Sequence, residues 1–454
     1  MPLRRIPVAC IQTQASDRND FETRWPRTLA LVDDAARAGA RLIVLPEGTV
    51  PAYVLGTTPV EPALLARAQR DLASIARISG STIVYGGARI VDGRTYNAAN
   101  VLGPDGADLG FAAKQFLWQF DRRWFAPGET LLPVATPVGM LGLLVCADGR
   151  LPTIARTLVE RGAEALVMPT AWVTSGRDPT ALENIQADLM ANVRARENGV
   201  PFVAANKCDV ELESVAYCGK SAIIAADGSF VARAGERDEE TIAGEIELGA
   251  PPRSHPTALA VDDETRRAQL DPARLLRARQ RLRVAFGALD DALELARFTD
   301  LAEQTDADVL LLPASHASEG GRIGAVGDVP IGFITEAILE NPAGLVPARL
   351  AGFDLFLVTV KNATARATVA LARTRAAELR IYLVVLGGTR GRSFAVDPDG
   401  AIIAGTFDRY RIAAFTYDRA RSQATTVAPT TDVLDGLRTA ARIASRKEPS
   451  SSGR

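Results

Sequence analysis

Histidine is almost missing from this chain of 454 residues: only His255 and His316 occur, and His255 stands beside Pro256 in a polar, breaker-rich stretch. Histidine-based catalysis and histidine-built metal sites are therefore poorly supported. Cysteine is scarce too. Cys10, Cys146, Cys208 and Cys218 form no CxxC pair, which fits neither a zinc site nor a disulfide framework and suits free thiols in a reducing compartment. No apolar run approaches the roughly 18 residues of a membrane-spanning helix, and the run after the basic pair of MPLRRIPVACIQTQ is too short for a signal-peptide core. An excess of one charge is also lacking. With 52 basic against 54 acidic side chains the net charge is −2, so neither nucleic acid nor a membrane surface is an expected partner. These absences describe a soluble, cytoplasmic protein with an ordinary globular composition.

Lysine is the rarest cation, 5 residues against 47 arginines. A guanidinium cannot serve as a compact point charge, so each lysine is a candidate for work that arginine does badly. The length suggests two domains. At the start, IPVACI (6–11) and RLIVLP (41–46) read as buried strands around a helical stretch near 21–39. Short apolar runs follow at 82–87, 97–102, 141–146, 164–169 and 200–205, with helical patterns near 152–161 and 181–198. Such alternation describes a layered α/β domain.

An internal repeat then emerges. GKSAIIAADGSF (219–230) returns as GRSFAVDPDGAI (391–402), RIPVAC as RLRVAF (281–286), LIVLPE as VLLLPA (309–314), and RARE (194–197) as RAAE (375–378). A single offset of 190 matches LGLLVCA (141–147) to IGFITEA (331–337) and GAEALV to GFDLFL. Cys146 thereby aligns with Glu336 and Glu47 with Ala314, while Lys114 has no counterpart.

Taken alone, Cys146 is better read as a buried space-filler, since free cysteine is among the most buried residue types. Its surroundings argue otherwise. A nucleophilic cysteine without histidine needs another base, a carboxylate in a water-poor pocket, and Glu47 at the end of LIVLP qualifies. Attack on an amide carbon also needs donors where the oxyanion forms. Lys114, in the aromatic setting GFAAKQFLWQF, and the N–H of Ala147 would supply them.

This Glu, Lys, Cys order resembles the nitrilase superfamily of carbon–nitrogen hydrolases over residues 4–250. LIVLPEGT, NAANVLGPDGADLGFAAKQFL, FAPGE and LLVCADGRLPTIARTLVERGAEALVMPTAW carry the resemblance, with RARENGVPFVAANK in support. It implies a four-layer αββα sandwich, with Glu47 as general base, Lys114 stabilising the tetrahedral intermediate and Cys146 forming a thioester. No cofactor or metal is implied. Asp121, in DRRWFAPG, stands where the family often has a second glutamate, and its shorter reach weakens that transfer. Pro152-Thr153 replaces the Pro-Glu of many members. CADG resembles amidases and carbamoyl-amide hydrolases more than the Cys-Trp-Glu of nitrilases.

The expected protein is thus an amidohydrolase of small linear amides or N-carbamoyl compounds. Trp172, Tyr53, Trp118 and Asp148 are candidate pocket residues. Acyl transfer through the same thioester, or a non-catalytic scaffold, are the alternatives. The expected domains are a catalytic lobe (4–250), a linker ending in an exposed helix (251–279), a shortened copy without the three catalytic positions (280–420), and a C-terminal extension whose tail is disordered (421–454). Because family members usually pair two sandwiches, the copy would serve as a built-in partner, an intrachain pseudo-dimer. SVAYCGKS ends like a phosphate loop but has Ser214 for the first glycine and runs into a strand pattern, which argues against nucleotide binding.

Overall fold

The computed structural model describes residues 3–174, 182–255, 258–264, 280–287, 300, 303–311, 322–326, 329–387, 392–406 and 412–446. The chain divides into two compact units: Met1–Arg253 with Ala428–Thr431 and Thr439–Arg454, and Ser254–Val427 with Asp432–Arg438. The C-terminal stretch, expected as a separate extension, is therefore shared out between the two, and it carries a helix at Val433–Ala444. Most of the expected disordered tail, His316, Ala314 and the helical end of the linker lie outside the described residues.

In the first unit, strand β1 (Arg4–Gln14) leads to helix α1 (Phe21–Arg37), β2 (Leu42–Val44), α2 (Pro62–Ser79), β3 (Thr82–Val91), β4 (Arg94–Leu102) and β5 (Asp108–Ala113). The strands form one sheet in which β1, β2 and β3 run parallel and β3, β4 and β5 antiparallel. Helix α1 buries Phe21, Trp25, Val32, Ala35 and Ala36, and α2 buries Ala68, Leu72 and Ala76. These spacings of three and four place one apolar stripe on each helix, and both stripes pack on Ala9, Ile11, Ile43 and Ile83 of the sheet.

The second sheet of this unit is built from β6 (Val134–Thr136), β7 (Gly139–Leu143), β8 (Ala165–Pro169), β9 (Phe202–Ala205), β12 (Ala222–Ile224) and β13 (Phe230–Arg233), neighbours in that order. Between them come α3 (Pro152–Glu160), α4 (Ala191–Asn198) and the hairpin β10 (Lys207–Glu211) and β11 (Val215–Cys218), which joins the first sheet beside β1. Helices α3 and α4 pack on β7, β8 and β9, while β1, β2 and β3 meet β8 and β9 between the sheets. The layers are helix, sheet, sheet, helix. β14 (Glu240–Leu248) closes the first sheet antiparallel to β1.

In the second unit, Arg281–Phe286 pairs parallel with Val309–Leu311 and antiparallel with Ala413–Asp418. A further six-stranded sheet runs Arg322–Val326, Val329–Thr335, Leu355–Val360, Tyr382–Gly387, Phe394–Val396 and Ile402–Gly405, neighbours in that order. One core, including Val284, Phe286, Leu311, Leu357, Val384 and Phe415, joins these two sheets. Among the described residues, no helix is long and apolar enough to cross a membrane.

Candidate active site

Strand ends bring the candidate residues together. Glu47 follows β2, and its N–H donates to Thr170 O across the sheet gap, 3.2 Å away. Gly86 of β3 allows this turn to sit close, because a Cβ there would stand 2.4 Å from Glu47 Cα. Lys114 follows β5, its N–H donating to Asn97 O on β4 at 2.8 Å. The ammonium lies 2.8 Å from Glu47 Oε1 and 2.7 Å from Asp121 Oδ2, and all three side chains are fully buried. Asn97 Nδ2 donates to the same Glu47 oxygen at 2.6 Å. Asp121, the possible second acid whose shorter side chain weakened its candidacy, makes its ion pair from a 3-10 turn, Gln119–Arg123, where its Oδ2 also accepts from Trp118 N–H at 2.9 Å.

Cys146 opens another 3-10 turn, Cys146–Arg150, just beyond the end of β7. Its φ is +47°, the left-handed region. That conformation costs a residue with a side chain roughly 1–2 kcal/mol, and such strain persists where the surroundings hold it. Asp148 holds it here. Its Oδ2 accepts from Val145 N–H at 3.0 Å, and its Oδ1 accepts from Gln115 N–H at 3.0 Å and Phe116 N–H at 2.8 Å. One carboxylate thus fastens the cysteine turn to the two residues after Lys114. Cys146 Sγ lies 3.7 Å from Ala171 O, one residue beyond the carbonyl that binds Glu47. Ala147 is buried in the same turn.

The electrostatics follow from burial and neighbours. Burial pulls the Lys114 pKa down, but the Asp121 and Glu47 charges outweigh it and hold the ammonium protonated well above the ordinary lysine range. Burial, then the Glu47 charge, pushes the Cys146 thiol above the ordinary cysteine range, with Lys114 opposing. The resting sulfur is consequently a thiol rather than a thiolate. Burial also lifts the Asp148 carboxyl to about 6, against three backbone hydrogen bonds that lower it.

Several buried polar atoms here have no hydrogen-bond partner: Glu47 Oε2, Asp121 Oδ1 and Trp172 Nε1. Buried polar groups are ordinarily satisfied, so these stand out.

The candidate pocket residues part company. Tyr53 is buried with its ring 5.7 Å from Lys114 Nζ, against Phe120 and Tyr217. Trp172 is buried, its backbone N–H donating to Asn206 Oδ1 at 2.7 Å while its indole Nε1 has no partner. Trp118 is half-buried beneath the Arg150 guanidinium. Asp148 spends both oxygens on backbone N–H groups, so it fastens two segments rather than presenting itself to a ligand.

Sequence reading overlooked Asn97 and a second buried ion pair. Glu211 Oε2 accepts from Tyr217 Oη at 2.7 Å and Lys207 Nζ at 3.2 Å, while Oε1 accepts from Val54 N–H at 2.7 Å. Glu211 thereby braces the segment that carries Tyr53. The scarcity of lysine was the available signal, since Lys207 and Lys114 are both buried and paired. All four cysteines are buried and free. Among the described residues, no group of three or more His, Cys, Asp or Glu gathers as a metal site.

Residues 7–250 match the carbon-nitrogen hydrolase family. Over 216 residues the chain is 37% identical to the "Hydrolase in pqqF 5'region" of Pseudomonas protegens, which spans 46% of this chain and 72% of that protein. It is 31% identical over 255 residues to an (R)-stereoselective amidase of a Pseudomonas species, 54% of this chain and 85% of the relative. It is 26% identical over 264 residues to N-carbamoylputrescine amidase of Arabidopsis thaliana, 54% and 87%. The chain belongs to the carbon–nitrogen hydrolase family and is an amidohydrolase of the nitrilase superfamily.

Proposed function

We propose that the chain hydrolyses a small linear amide or N-carbamoyl compound through a thioester on Cys146. Glu47 Oε2 takes the thiol proton as sulfur attacks the carbonyl carbon, and Lys114 with the Ala147 N–H stabilises the oxyanion. The nitrogen leaves as ammonia or an amine, carrying the proton that Glu47 returns. Water, deprotonated by the same carboxylate, then frees the acid and restores the thiol. Asp121 keeps Lys114 charged and oriented.

One observation carries this reading: a fully buried ammonium between two carboxylates, one of which, Glu47, keeps an unpartnered oxygen and with burial holds the Cys146 thiol protonated. The orphaned acceptors and the orphaned Trp172 donor suit a ligand bringing both N–H donors and a carbonyl, as an amide does. Relatives named as amidases favour amides and N-carbamoyl compounds. The test is intact mass during incubation with a panel of aliphatic amides and N-carbamoyl compounds, comparing the parent with Cys146→Ala. A substrate-dependent adduct only in the parent is expected. Equal turnover by both proteins would refute the assignment.

Residues 280–420 we read as a shortened copy of the first domain, after a linker at 251–279. Support comes from strand register. Leu143 opposite Val167 answers to Phe333 opposite Leu357, Val203 opposite Ile223 to Val384 opposite Ala395, and Val8 opposite Leu42 to Val284 opposite Val309. Each pair follows the offsets of the repeated sequence blocks. The copy carries none of the three catalytic positions, and an internal pairing of the two copies belongs to the same proposal. An isolated first lobe that was soluble, monomeric and fully active would count against that pairing.

A further inference from the structure

The catalytic reading leaves one contact unexplained. The turn that carries Asp121 is short, and it is entered through Gln119 at φ +46°, a strained conformation for a residue with a side chain. Both backbone groups of Gln119 are gripped from far along the chain. Its N–H donates to Thr431 Oγ1 at 2.7 Å, and its carbonyl accepts from Thr430 Oγ1 at 2.8 Å. Ala428–Thr431 is part of the first unit although more than 300 residues separate it from Gln119. Thr431 is fully buried, and Thr430 itself has a φ of +63°. The same C-terminal region is held a second time: Arg161 at the end of α3 donates to Ala444 O at 3.2 Å and Arg446 O at 3.0 Å.

We infer that the returning C-terminal segment completes the active site, with Thr430 and Thr431 as positioning residues that fix Asp121 against Lys114. The inference rests on the roles given above to Lys114 and Asp121. The link runs through one oxygen: Asp121 Oδ2 both accepts from Trp118 N–H and meets the Lys114 ammonium. A Gln119 backbone released from its left-handed conformation would swing Trp118 N–H and take that carboxylate with it. Lys114 would then lose one of its two counter-charges. Such a grip makes the site depend on the chain's far end, although the matched family region ends at residue 250.

The experiment compares the full-length double variant Thr430→Val/Thr431→Val with Thr430→Ser/Thr431→Ser. Valine keeps the shape and removes the hydroxyls; serine keeps the hydroxyls. Backbone hydrogen exchange over Gln119–Arg123 reads the grip directly and needs no substrate. Ammonia release from butyramide and from N-carbamoyl-β-alanine reads the consequence. The valine variant is expected to exchange faster at this turn and to lose about tenfold in kcat, with KM changing less than about twofold, the scale of unsatisfied backbone groups. The serine variant is expected to restore both. Unchanged exchange at the turn overturns the inference, as does unchanged kcat or an equal loss in the two variants. Cys146→Ala retaining parental activity would instead sink the catalytic reading, and the exchange result would be unaffected by it.

Discussion

Two turns at aligned positions, one in each unit, share a scaffold and differ in what they present. After β7 the chain enters the left-handed Cys146, and the carbonyls of Gly149 and Arg150 are held by Arg194, whose Nη1 pairs with Glu197 at 2.7 Å. After Val329–Thr335 the chain runs into a regular helix at Glu336, capped by the Thr335 hydroxyl, which accepts from Ile338 N–H. There Leu339 O and Glu340 O are held by Arg375, whose Nη1 pairs with Glu378 at 2.6 Å. Both arginines are fully buried. The same frame of arginine, acid and carbonyls occurs where the strained cysteine is absent. Framework and chemistry are therefore separable, and backbone strain goes with the chemistry.

The largest expected effect removes the reactive atom itself. Cys146→Ala should lower amide turnover by about 10⁴ to 10⁶, the scale of deleting a nucleophile, with ammonia release as the readout and full residual turnover as the contrary result. Glu47→Gln should cost about 10² to 10⁴ in kcat by removing the general base. It also supplies a pH test. The folded thiol's pKa is raised, so the protonated form dominates through neutrality and the thiolate fraction grows as pH rises. Without its base, Cys146 alkylation by iodoacetamide should keep climbing beyond pH 9. A plateau near neutral pH in that variant would show that burial does not hold the thiol.

Helix α1 and strands β1, β8 and β9 were legible because each carries its own period, a stripe at three and four residues in α1 and short apolar runs in the strands, whereas α2, striped in the same way, was passed over. Glu47 and Lys114, which pair in the structure, and the buried Cys146 were singled out from their order along the chain and their surroundings. Asp148 reads in sequence as a pocket residue and Asn97 is passed over because their contacts are made with residues distant along the chain, Asp148 with Gln115 and Phe116 and Asn97 with Glu47. The Thr430 and Thr431 grip was invisible for the same reason. A contact more than 300 residues apart leaves no local trace, and the C-terminal stretch was expected to be merely an extension.

The twin arginines divide stability from activity at intermediate scale. Arg194→Met and Arg375→Met each take a charged partner from a buried glutamate and release two carbonyls, so each should lower stability by about 3–5 kcal/mol. Only Arg194→Met should also reduce kcat, by about tenfold, because its carbonyls belong to the Cys146 turn. Melting temperature and kcat measured side by side check this. Equal loss of kcat in both would mean that the second unit's frame matters to the chemistry as much as the first's.

The smallest expected effect is the sharpest test of what the second turn lacks. Glu336→Cys in a Cys146→Ala background places a sulfur at the aligned position, on a half-buried residue whose carboxylate accepts from Lys361 N–H at 3.3 Å. A helix start would favour its thiolate, so iodoacetamide should label it. Labelling, however, needs only a nucleophile, whereas amide cleavage also needs a carboxylate to move protons and an ammonium where the oxyanion forms. Ala314 aligns with Glu47, and Lys114 has no aligned residue. Turnover should therefore stay at the level of Cys146→Ala despite full labelling. Any measurable gain in ammonia release would mean that the aligned turn keeps more of the chemistry than its sequence displays.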